Sequence, residues 1–106
     1  MRPQTSAVAE PVRSDFAADP DFRELLVEFT AALPSRRDGL TEAHRAERFD
    51  LMRTTAHQLK GAGGGFGFPR LSELAAELEQ AVVSKEPVRI AEALESTVAY
   101  MNRITV

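Results

Sequence analysis

The chain has 106 residues, which suits one domain with one core. Its 43% hydrophobic content is ordinary for a globular protein, and a net charge of −3 without a basic stripe on any segment argues against a nucleic-acid surface. With no cysteine, a disulfide framework and a thiolate metal site are both excluded. No apolar run approaches the roughly 20 residues that cross a bilayer, and Met1–Ser6 lacks the apolar core of a secretory signal. A soluble cytoplasmic protein is the expectation.

Residues 1–18 are rich in Pro, Ala, Ser and mixed charge without a sustained period, and read as a disordered tail. The folded domain is expected over 19–106. Asp19-Pro20 offers an N-cap followed by proline at the first helical position. Phe22, Leu25, Leu26, Phe29 and Leu33 follow at helical spacing. Pro34 removes one backbone hydrogen bond, yet Leu40 stays in phase with Phe22, Phe29 and Leu33. One kinked helix to about residue 44 is the favoured reading; a break at Pro34 or at Asp38-Gly39 is the alternative. His44 reads as a surface histidine in a turn.

A second helix begins near Glu47, with Phe49, Met52, Ala56 and Leu59 directed inward. Each residue of Gly63-Gly64-Gly65 costs about 1 kcal/mol relative to alanine in a helix, so local propensity alone ends the helix there. Pro69 starts a third helix with an inward stripe of Leu71, Leu74, Ala75, Leu78 and Val82. Glu73, Glu77, Glu79 and Gln80 lie outside that stripe or at its margin. Pro87 starts a fourth, which buries Ile90 or Ala91, Leu94, Val98 and Met101, with Ile104 at its end. No segment shows a period of two. The expected fold is all-α, an antiparallel up-and-down four-helix bundle.

The chemistry concentrates in the second helix. At about 100° per residue, His57, Lys60, Gly61 and Gly64 share one face, which Asp50, Arg53 and Thr54 extend. Small residues beside a histidine let another protein's backbone approach the imidazole. A nucleotide loop does not fit, since no strand precedes the glycines and no Gly-Lys-Ser/Thr follows them. His44 and His57, the only histidines, sit on different segments without ligand spacing, so no metal site is expected. Nor is there a Gly-x-Ser-x-Gly for a hydrolase, and Ser72 and Ser84 read as helix-surface and loop serines. What remains is His57 acting directly. A neutral imidazole is a competent nucleophile, and Lys60, one turn away, can balance phosphoryl oxygens.

His57-Gln58-Leu59-Lys60-Gly61, the small residues after it, and Phe66-Gly67-Phe68 resemble the histidine-containing phosphotransfer (HPt) domain of two-component phosphorelays. The resemblance covers roughly residues 20–104, including Leu71–Glu79 as the family's third bundle helix. It implies a four-helix bundle that accepts a phosphoryl group on the Nε2 of His57, from a receiver-domain aspartate or a histidine kinase, and passes it on. Lys60 would neutralise the phosphoryl oxygens, and Gly61 and Gly64 would keep a docking surface open, with Asp50, Arg53, Thr54 and Gln58 around it. Glu79 matches the position from which chemotaxis-type relatives hydrogen-bond the other imidazole nitrogen; an ordinary solvated glutamate is the alternative. The family binds no ATP and has no turnover of its own, and the receiver brings the Mg²⁺, so no cofactor is expected here. The triple glycine exceeds what the family carries at that point and predicts a loosened helix end. The chain reads as a monomeric phosphocarrier. The competing reading is a helical interaction module that binds a receiver or kinase without accepting phosphate.

Overall fold

The computed structural model describes residues 10–106. After a 3₁₀ turn at Pro20–Phe22, four helices follow: α1 (Arg23–Arg45), α2 (Phe49–Gly65), α3 (Pro69–Ser84) and α4 (Pro87–Met101). Asp19 caps the 3₁₀ turn by accepting a hydrogen bond from the Asp21 amide. Each helix packs against the next, and α1 closes the ring against α4, giving the antiparallel up-and-down bundle. Pro34 lies inside α1, which is one continuous helix to Arg45. Its periodic Leu26, Phe29, Leu33, Leu40 and Ala43 are all buried, so packing on both sides of the proline outweighs the lost backbone bond.

The apolar stripes meet in a single core. Met52, Ala56 and Leu59 of α2 face the α3 stripe of Leu71, Leu74, Ala75, Leu78 and Val82. From α4, Ile90, Leu94 and Met101 enter it, while Ala91 is exposed. Thr97 is fully buried as well, and its hydroxyl is satisfied by the Ala93 carbonyl at 2.8 Å. Phe49 is a correction to the expected inward set, being 39% exposed. As the first residue of α2 it rests over the α3–α4 turn, beside Val82, Lys85 and Pro87, with one side uncovered. His44 lies half-buried in the last turn of α1 rather than in a loop.

Three helices end in the same way. Glu47, Gly67 and Lys85 have φ of 57°, 85° and 57°, the left-handed conformation that reverses a chain after a helix. In each, the amide of the next residue returns to a carbonyl five residues back: Arg48 to Ala43, Phe68 to Gly63 and Glu86 to Ala81. The helix start expected near Glu47 therefore falls at Phe49, because Glu47 is occupied in closing α1.

The end of α2 is not loosened by its glycines; the helix is regular to Gly65. A Cβ on Gly63 would lie 2.7 Å from Ser72 Oγ, 2.9 Å from Ser72 N and 3.1 Å from Phe68 O, so glycine is what allows α3 so close. Phe66 and Phe68 flank the turn and stack on Phe29 of α1, with centroids 4.5 and 5.8 Å away. Tertiary contact thus offsets the poor helix propensity.

Residues 10–18 also correct an expectation. They lie against the bundle instead of forming a disordered tail; the remainder of the expected tail, residues 1–9, is outside the described residues. Val12 pairs with the chain after α4 through Arg103 O and Thr105 N. Ser14 is buried and donates to Phe66 O at 2.6 Å, and the Asp15 amide donates to Gly67 O.

Two glycines of α2 are expected to respond oppositely to the same methyl group. Gly63→Ala should cost about 1–3 kcal/mol through overpacking against α3. Gly61→Ala meets nothing within 4 Å and should gain up to about 1 kcal/mol in urea unfolding.

Candidate functional site

The exposed face of α2 carries Asp50, Arg53, Thr54, His57, Gln58, Gly61 and Gly64, all accessible to solvent. Arg53, Thr54, His57, Gln58 and Glu79 border an open depression of about 290 Å³. Beyond it, Gly61 and Gly65 leave the surface flat, with open space where a Cβ would stand. The His57 side chain is 67% exposed.

The imidazole is nevertheless held. Its Nδ1 lies 3.0 Å from Oε2 of Glu79, which reaches across from α3. The other oxygen of the same carboxylate, Oε1, accepts a hydrogen bond from Lys60 Nζ at 2.8 Å. One half-buried acid therefore binds the two residues that helical spacing had placed a turn apart. Glu79 is not a solvated glutamate: its side chain is only 16% exposed. The Lys60 side chain remains 41% exposed, so its ammonium is within reach of the solvent side as well as of Glu79. Among the described residues no protein group hydrogen-bonds His57 Nε2.

The electrostatics follow from the contacts. The hydrogen bond from Lys60 is the largest influence on Glu79 and lowers its pKa from the ordinary 4.5; burial opposes this, and the His57 hydrogen bond adds to the lowering. Among the described residues, no group of three or more His, Asp or Glu side chains is placed to hold a metal ion.

Ser72, a helix-surface serine by its sequence, lies against the α2 backbone beside Lys60. Its hydroxyl donates to Lys60 O at 2.6 Å and accepts from Gly64 N at 2.7 Å. The only signal in the sequence was its spacing of seven from Glu79, which puts both on one side of α3.

The family model for the Hpt domain matches residues 24–103, which spans all four helices. The chain belongs to the Hpt domain family. No curated protein and no solved structure matches it. Hpt domains serve phosphotransfer in two-component relays, as carriers that work with receiver domains and kinases. No described helix of this Hpt domain is long and apolar enough to cross a membrane.

The Glu79 contacts predict a pH dependence of stability. A carboxyl whose pKa is lower folded than unfolded releases its proton more readily in the native state. Its contribution is therefore complete above the unfolded value and is lost as pH falls through the lowered one. Urea titrations between about pH 6 and pH 3 should show wild type losing more stability than Glu79→Gln. Equal losses in the two proteins would show that the carboxylate contributes nothing.

Proposed function

We propose that this Hpt domain is a phosphocarrier whose acceptor atom is Nε2 of His57. The observation that carries the reading is the contact between His57 Nδ1 and Glu79 on an otherwise exposed ring. A carboxylate at Nδ1 favours the tautomer with the proton on that nitrogen, which leaves the Nε2 lone pair available toward solvent.

The transfer is then a single exchange of bonds at phosphorus. The Nε2 lone pair attacks the phosphoryl group of an aspartyl phosphate on a receiver domain. The N–P bond forms as the bond from phosphorus to the aspartate oxygen breaks, and the carboxylate leaves with the electron pair. The Nδ1 proton stays in place, and Glu79 offsets the positive charge that develops on the ring. Transfer to the next receiver reverses these steps, and transfer from a phosphohistidine kinase uses the same lone pair. Lys60 supplies an ammonium to the phosphoryl oxygens. It is already desolvated on one side by Glu79 and open on the other.

The exposed Asp50, Arg53, Thr54, Gln58, Gly61 and Gly64 form the ring of contacts on which the receiver docks. Bare backbone at Gly61 and Gly64 lets the receiver's active-site edge come close to the imidazole. The Mg²⁺ of the reaction belongs to the receiver, and no residue of this chain is assigned to it. An interaction module without phosphate would need neither an engaged Nδ1 nor a lysine one turn away. The carrier acts as a monomer, and its complexes are weak enough to turn over between partners.

Incubation with a ³²P-labelled phospho-receiver tests the assignment. Label should pass to this protein and be acid-labile and alkali-stable, as a phosphoramidate is. His57→Gln should abolish transfer with an unchanged helical CD spectrum, and transfer that survives this substitution would overturn the assignment. Lys60→Ala should slow transfer about ten- to a hundredfold without unfolding the bundle.

A further inference from the structure

We infer that Ser72 is a positioning residue for phosphoryl transfer: from α3, its hydroxyl sets the turn of α2 that carries Lys60. The inference rests on His57 being the phosphoryl acceptor.

The Lys60 carbonyl and the Gly64 amide are the acceptor and donor of one i→i+4 rung of a helix. Ser72 Oγ bonds to both, at 2.6 and 2.7 Å, so a hydroxyl from a neighbouring helix spans a rung of α2 one turn beyond the histidine. Its single proton goes to the carbonyl and one lone pair takes the amide. The approach depends on Gly63, whose missing Cβ would sit 2.7 Å from that oxygen. Glycine at 63 and serine at 72 are therefore a matched pair.

Ser72 and Glu79 stand two turns apart on the same side of α3. Glu79 holds the ammonium of Lys60 at 2.8 Å, and Ser72 holds its carbonyl at 2.6 Å. Lys60 is thus held at both ends from one helix. Lys60 cannot shift along α2 or rotate about its axis without breaking one of these bonds. Ser72 is half-buried beneath the glycines and is not among the exposed docking residues. Its effect on the reaction passes through Lys60, and it touches no reacting atom.

Ser72→Ala in the full chain tests this, with single-turnover transfer from a ³²P-labelled phospho-receiver measured over a range of receiver concentrations. The expected result is a rate at saturating receiver about five- to tenfold lower, with the half-saturating concentration unchanged. In a Lys60→Ala background the same substitution should have no further effect on the rate. A wild-type rate in Ser72→Ala overturns the inference. So does an equal loss in both backgrounds, or a change confined to half-saturation. Should Ser72→Ala lose its helical CD signal, Ser72→Cys carries the same comparisons, because it keeps the shape and weakens the hydrogen bonds. A wild-type protein that takes no label overturns the carrier reading and this inference together. A wild-type protein that transfers normally beside an unimpaired Ser72→Ala overturns only this one.

Discussion

A single carboxylate on α3, that of Glu79, bonds to two side chains one turn apart on α2, and the geometry of the exposed α2 face depends on where α3 delivers it. The group is mostly withdrawn from water, which by itself would disfavour its charge. Two hydrogen bonds offset that cost, the stronger from an ammonium. The outcome is an imidazole that is solvent-exposed yet fixed in orientation. An unsupported histidine on a helix surface would sample several rotamers.

Delivering Glu79 to that point requires that α3 keep its height along α2, and two features maintain it. The buried Leu71, Leu74, Ala75, Leu78 and Val82 set which side of α3 meets α2. The close approach at Gly63, with Ser72 bonded across the Lys60–Gly64 rung, sets the depth and the axial position. Apolar packing alone is tolerant of small sliding, because it has no direction. Hydrogen bonds at 2.6 and 2.7 Å are directional and are not.

The glycine run therefore serves two surfaces of one helix. On the inner side, Gly63 admits α3; on the outer side, Gly61 and Gly65 have open space where a Cβ would stand. The entropic weakness this brings is met from outside the helix. Gly67 closes the C-terminus in the left-handed conformation, Phe66 and Phe68 stack on Phe29, and Ser14 and Asp15 bond to Phe66 and Gly67. A Cβ on Gly67 would collide with Ser14 Oγ and crowd Asp15, so this N-terminal segment and the turn are built to fit each other.

Helical period, the three proline starts and the alternation of apolar stripes determined the four-helix bundle from the sequence alone, since each is a local property of consecutive residues. The same spacing placed His57, Lys60, Gly61 and Gly64 on one face, and the family motif could be read there. Tertiary structure decided what depends on two distant segments meeting. Glu79 became a partner of His57 only once α3 packed at a particular height, and Ser72 looked like any surface serine until a glycine let it reach a backbone rung. The ends of α1 and α3 fall within a residue of where the sequence places them, but the left-handed residues that close them, Glu47 and Lys85, carry no local signal, because neither is the glycine that this conformation ordinarily requires. Residues 10–18 lack any period, and their order comes from hydrogen bonds to the ends of α2 and α4, which no local pattern encodes.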